Sequence, residues 1–182
     1  MSGRPWIYLA GPDVFAPDVE ARAARLKAWC MEHGAEGLFP LDNLLPDGPD
    51  LPERIREANM AMIRRADVLV ANMTPFRGVS MDPGTAYEMG AAAALGKIVV
   101  GYTTDARSYE SRISAAFPVR DAGGVLRDGD GMAVERFARP LADNLMMACG
   151  LDGMTHSPED AIRMVVHVWR GRQPVRTTPG SG

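Results

Sequence analysis

The sequence predicts an α/β domain built on a doubly wound, mainly parallel sheet flanked by helices, with further helices at its C-terminal end. Three observations carry this. Short apolar runs alternate with helical patterns from residue 6 to residue 103, the order expected of consecutive β–α units. One of the runs, DVLVANM, is almost continuously apolar, as a strand covered by helices on both faces must be. Glycine and proline punctuate the ends of these elements, at Gly11-Pro12 and Gly34 for example.

In chain order, WIYLA (6–10) is a short apolar run stopped by Gly11-Pro12 and reads as a buried strand. Residues 17–33 place Val19, Ala23, Leu26, Ala28, Trp29 and Cys30 among charges, a helical pattern closed by Gly34. Residues 37–41 read as a second strand, followed by the polar loop DNLLPDGPD. Pro52 suits a helix start, and 53–66 puts Ile55, Asn59, Met62 and Ile63 on one inward stripe. Residues 67–73 form a third strand, Ser80 to Lys97 the next helix, and 97–103 a fourth strand. From 105 to 131 the richness in Gly, Asp, Arg and Ser predicts a long loop, while 132–149 and 158–170 read as two helices. Residues 1–170 thus form a single domain of flavodoxin- or Rossmann-like type, and 171–182 a polar tail.

Composition removes several function classes. The chain has 182 residues, 46% hydrophobic and 24% charged, ordinary values for a globular domain of one core. No apolar run approaches the roughly 18 residues of a membrane span, and the N-terminus lacks the basic start and long apolar core of a signal peptide, which predicts a cytoplasmic location. With 20 Lys+Arg against 23 Asp+Glu the net charge is −3, and the arginines are scattered, so no nucleic-acid partner is expected. Cys30 and Cys149 lie in apolar surroundings outside any CxxC pattern, and His33, His156 and His167 are dispersed, so neither a disulfide nor a metal site is predicted. GPDVFAP is not a dinucleotide fingerprint, Gly90 to Lys97 has the wrong spacing for a P-loop, and no G-x-S-x-G elbow occurs. No cofactor is expected.

The stretch SMDPGTAYEMGAAAALGK is more informative. Asp82 can cap the helix, Pro83 can take its first position, and Gly84 leaves room for something to approach the backbone. The preceding strand ends near Met73, and ligands of open α/β sheets bind beyond such carboxyl ends. Glu88 follows about a turn and a half into the helix, among Ala86, Tyr87, Met89, Gly90 and a run of alanines. Either it faces solvent between small residues, or it pairs with an arginine such as Arg77, or it is a buried carboxylate whose several-kcal/mol penalty calls for a function. Read without further context, Asp82 is equally a pure cap, Asn59 a polar residue serving a core backbone group, and Tyr8 and Phe15 ordinary core and loop aromatics.

Taken together, IYLAGPDVF, FPLDN, IREANMAMIRRADVLVANM, TPFRGVSMDPGTAYEMGAAAALGK and DNLMM resemble the nucleoside 2-deoxyribosyltransferase family, in the family's order and over residues 7–147. With PFRG before the D-x-G-T-x-x-E core and NLM after it, the chain looks closest to the purine-preferring members. The resemblance implies transfer of 2-deoxyribose from a 2′-deoxyribonucleoside to a free nucleobase, without a cofactor. Glu88 matches the nucleophile that forms a covalent deoxyribosyl intermediate, and two inversions give net retention. Tyr8 matches the residue that orients the nucleophile, Asp82 the acid that manages the proton of the leaving base, and Phe15 a residue that stacks on it. Asn59 matches a position where some members carry a base-binding aspartate. Asn144 and Met146 match residues that a neighbouring subunit contributes to the sugar's 5′ end, implying a homo-oligomer with shared sites and an inactive monomer. Asp42, with Asn43, lies at a strand end suited to ribose or base contacts, Gly84 gives the substrate clearance, and Arg77 positions the loop or Asp82. The alternatives are a nucleoside 5′-monophosphate N-glycosidase of the same fold and a non-catalytic nucleoside-binding module. Pro83 removes one backbone donor and Asp82 adds a negative charge where a phosphate would bind, which favours a nucleoside.

Overall fold

The computed structural model describes residues 3–43 and 45–173. Five parallel strands form the central sheet: β1 (Trp6–Ala10), β2 (Glu36–Leu38), β3 (Val68–Asn72), β4 (Ile98–Tyr102) and β7 (Gly153–Thr155). Their spatial order, β2-β1-β3-β4-β7, is the flavodoxin-like doubly wound order, reversing between β1 and β3. Helices α1 (Val19–Glu32) and α6 (Pro158–Arg172) pack on one face, α2 (Leu51–Arg65) and α3 (Pro83–Ala94) on the other. Because β1 alternates, Ile7 and Leu9 enter the first core while Tyr8 and Ala10 enter the second. That alternation decides on which side the tyrosine can work.

Three expectations change, and one strand is added. The second strand ends at Leu38, not at residue 41, because Pro40 has no N–H for the ladder; Pro40–Asp42 forms a 3-10 turn in which the Phe39 N–H donates to Asp42 Oδ2 at 2.8 Å. The stretch 105–131 is not one loop. It holds helix α4 (Tyr109–Ala116), capped by the Ser108 hydroxyl, and an antiparallel hairpin of β5 (Val119–Ala122) and β6 (Val125–Asp128). Gly123 and Gly124 turn that hairpin, both at positive φ (66° and 85°), which two-residue turns of this kind require. The helix predicted over 132–149 is reduced to α5 (Leu145–Ala148); Val134 instead donates to Leu126 O across the hairpin edge, and Pro140 would interrupt a helix. The fifth strand, β7, had no apolar run to announce it. Asp152 creates it by clasping Val99, its N–H to Val99 O and its Oδ2 to Val99 N–H, each at 2.8 Å.

The predicted polar tail lies outside the described residues from 174 onward. No helix among the described residues is long and apolar enough to cross a membrane.

Candidate active site

Tyr8 is fully buried beneath α3, and its hydroxyl donates to Glu88 Oε1 at 2.5 Å. Burial lifts the Glu88 carboxyl from the ordinary carboxylate range to about 7; the Tyr8 hydroxyl pulls it down, and the nearby charge of Asp82 adds to the rise. Burial, and then the charge of Glu88, push the Tyr8 phenol far upward, so it stays a protonated donor. Glu88 Oε2 has no hydrogen-bond partner among the described residues. Glu88 borders a groove of about 370 Å³ between α2 and α3, with Ile55, Arg56, Asn59 and Met60 on one wall and Gly84 and Tyr87 on the other. Of the readings open from sequence, the partly buried carboxylate holds: Arg77 does not reach it.

Asp82 caps α3, and its cap uses one oxygen. Oδ2 accepts from the Thr85 N–H at 2.8 Å and the Thr85 hydroxyl at 2.9 Å, whereas Oδ1 has no partner among the described residues. Capping therefore leaves the other oxygen free of any bond among the described residues. A Cβ on Gly84 would lie 3.0 Å from Oδ2, so this glycine clears space for the capping carboxylate as well as bordering the groove.

Asn59 is on the inward side of α2 as expected, and its Oδ1 is buried with no partner. It borders both the Glu88 groove and an adjoining cavity of about 700 Å³ formed by α1, residues 39–43 and Leu45, and α2. An unpaired buried acceptor carries a penalty of roughly 1–3 kcal/mol, which a donor from a ligand would remove. Asp42 and Asn43 line that adjoining cavity, but both oxygens of Asp42 are engaged, Oδ1 by Lys27 and Oδ2 by the Phe39 N–H.

Four expected residues sit elsewhere. Phe15 is exposed and stacks on Phe76, with ring centroids 5.5 Å apart, and both border a separate cavity beside α1. Arg77 lies over both rings, 5.3 and 4.7 Å from their centroids, at a φ of 55° that is uncommon for a residue with a side chain. It therefore fastens the loop to the aromatic pair and does not contact Asp82. Asn144 caps α5, accepting from the Met146 N–H at 3.0 Å and donating to Glu135, and Met146 is 77% exposed. Neither borders the Glu88 groove of its own chain.

Sequence reasoning missed Arg56 and Tyr87, which bridge the groove through a 2.9 Å hydrogen bond from guanidinium to phenol oxygen. The available signal was spacing: Arg56 precedes Asn59 by three residues, which places it next to Asn59 on the helix surface.

The family described as nucleoside 2-deoxyribosyltransferase matches residues 7–146. A 2-deoxyribosyltransferase structure from Leishmania mexicana is 35% identical, with a TM-score of 0.72, covering 90% of this chain and 97% of its own. The 2-deoxyribosyltransferase of the bacterium Bacillus psychrosaccharolyticus is similar in fold, at 18% identity and a TM-score of 0.55, over 85% of this chain and 88% of its own. An uncharacterised protein of Schizosaccharomyces pombe is 30% identical over 89% of this chain and 87% of its own.

Proposed function

This chain belongs to the nucleoside 2-deoxyribosyltransferase family, and from that premise we propose that it transfers 2-deoxyribose between nucleobases through a covalent intermediate on Glu88. The observation that carries the proposal is the Tyr8–Glu88 pair: one carboxylate oxygen is held by a buried hydroxyl and the other is left without a partner beside an open groove. In the first half-reaction a Glu88 oxygen bonds to the anomeric carbon as the glycosidic bond breaks, and its electron pair leaves with the base. In the second, a nitrogen of the incoming base attacks the same carbon from the vacated side and releases the carboxylate, its proton passing back to Asp82, so configuration is retained. Tyr8 orients the nucleophile. Asp82 supplies the proton of the leaving base, and its unpartnered Oδ1 supports that role.

Asn59 offers its buried Oδ1 to a donor on the base. In this reading Arg77, lying over Phe15 and Phe76, fixes the loop that leads into Asp82, and Phe15 faces the separate cavity beside α1 instead of the base. The active unit is a homo-oligomer in which Asn144 and Met146 complete a neighbour's site; exposed Phe117, Phe137, Leu145 and Met146, all from one stretch of chain, support it. Asp42, held by Lys27 and Phe39, shapes the wall beside the base. On this reading the reaction serves purine salvage in the cytoplasm.

The test is one incubation of deoxyinosine with adenine, followed by chromatography. Formation of deoxyadenosine is expected, whereas release of free deoxyribose without transfer would refute it. One observation favours a hydrolase instead. Arg56 is the one cation among the described residues bordering the groove, and it could pair with a 5′-phosphate. Deoxyinosine 5′-monophosphate consumed in preference to deoxyinosine would support that reading.

A further inference from the structure

Arg112 and Asp143 form a fully buried ion pair, with side chains 2% and 0% exposed, outside the groove described above. Its contacts are distributed in an unusual way. Asp143 Oδ1 accepts from the Ser80 hydroxyl and from the Asn144 N–H at 2.8 Å; Oδ2 accepts from the Met81 N–H at 2.9 Å and from Arg112 at 3.4 Å. The Arg112 guanidinium donates to three carbonyls: Val79 O at 2.6 Å, Arg107 O at 2.8 Å and Ala142 O at 2.6 Å. Every one of these partners lies in irregular backbone.

Two of the segments so joined carry site residues. Val79, Ser80 and Met81 lead directly into Asp82, and Ala142 and Asp143 lead directly into Asn144. Besides these bonds, the loop between β3 and α3 is held by the buried Met81 side chain and by the Phe76 N–H donating to Ser80 O at 3.0 Å, while Arg77 lies at positive φ. A planar guanidinium spreads five donors over three nitrogens in a fixed fork and so reaches carbonyls on separate sides, whereas an ammonium gathers its three donors on one atom.

We propose that the buried Arg112–Asp143 pair is a positioning device for the transfer reaction, fixing the backbone that aims Asp82 at the leaving base and tying it to the segment that presents Asn144. Helix α4 then has a purpose: it carries Arg112 into the gap between the two segments. The proposal rests on the reading of Asp82 as the acid, and the experiment separates the two.

The comparison uses two donors, deoxyinosine, whose base needs a proton to leave, and 7-methyl-2′-deoxyguanosine, whose cationic base leaves neutral without one. Asp82→Asn first tests the acid. It should lower kcat on deoxyinosine by about a hundredfold, the usual scale for general acid catalysis, and spare the methylated donor; equal effects would overturn the role of Asp82. Arg112→Lys keeps the charge but loses the three-carbonyl fork. It should lower kcat on deoxyinosine about tenfold, leave KM within about a factor of two, and change turnover of the methylated donor by less than about threefold, a partial loss of the same acid contribution. Equal loss on both donors would reduce the pair to a structural element, and no loss on either would also overturn the proposal. Should Arg112→Lys fail to fold, Ser80→Ala removes one hydrogen bond to Asp143 and leaves the ion pair; the same selective loss, smaller in size, is expected, and its absence overturns the proposal.

Discussion

The two faces of the central sheet are filled with different side chains. Against α1 and α6 the sheet presents Ile7, Leu9, Val68, Val70, Ile98 and Val100 to Ile162, Val165 and Val166, mostly β-branched residues of fixed shape. Against α2 and α3 it presents Tyr8, Ala10, Leu69, Ala71 and Val99 to Met62, Ile63, Met89 and Ala92, with Met73 and Met81 beside them. Methionine and alanine make a more adaptable layer, and here the buried Tyr8 hydroxyl meets the Glu88 carboxylate, whereas the other face buries Tyr102 and, at its edge, Asp13, which Arg22 and Asn72 hold. The first face pairs its buried carboxylate with an arginine; the second leaves a partly desolvated glutamate beside a groove. Sites commonly carry such a local loss, offset elsewhere in the structure.

If this contrast is right, substitutions on the two faces must separate activity from stability. The largest effect is expected from Glu88→Gln, which should reduce transfer about a thousandfold or more, as loss of a covalent nucleophile does, measured as deoxyadenosine formed from deoxyinosine and adenine. Ile162→Ala, on the opposite face, should lower unfolding free energy by about 2–5 kcal/mol in urea titrations while leaving turnover per folded molecule unchanged. Loss of turnover there without loss of stability would break the comparison.

Glu88→Gln should also stabilise the protein in a pH-dependent way. The folded carboxyl, raised to about 7, binds its proton more tightly than the unfolded one, so its favourable contribution is complete below about pH 4.5 and is lost as pH rises through 7. At pH 8 the variant should gain on the order of 3 kcal/mol as an upper limit, from about 1.4 kcal/mol per pKa unit, and at pH 4 almost nothing; thermal melts at the two pH values check it. Tyr8→Phe should slow transfer about 10–100-fold, the range for losing a hydrogen bond to a charged group. Because the Tyr8 hydroxyl lowers the Glu88 pKa, the variant's kcat/KM should rise with pH through a midpoint above the wild-type value of about 7. The smallest change is expected for Met89→Leu, a volume-conserving exchange in the adaptable layer that should shift stability by less than about 1.5 kcal/mol.

Much of this was readable in the chain. The alternation of apolar runs with helical patterns placed β1, β3 and β4, with α1, α2, α3 and α6, within a few residues of where they lie. Asp82, Pro83 and Thr85 spelled a helix start by their chemistry alone. The stretch between β4 and β7 was misread for a consistent reason. Its helix and irregular backbone are held by distant residues: Asp152 with Val99, and Arg112 with Val79 and Ala142. None of these partners is visible within a local window. Gly123-Gly124, flanked by VRDA and VLRD, was a legible hairpin signal that a loop-like composition obscured.

For the site, the sequence by itself determined which residue types were present and that Tyr8 would alternate to one face of a buried strand while Glu88 rode a helix of small residues. Only the tertiary structure decided that these two meet at 2.5 Å across eighty positions of chain, that Asp82 caps with one oxygen and leaves the other without a partner, and that Phe15 and Arg77 stack away from the groove. Periodicity is a property of neighbours along the chain, whereas the proton affinity of Glu88 and the buried, unpaired Oδ1 of Asn59 depend on which distant groups exclude water from them.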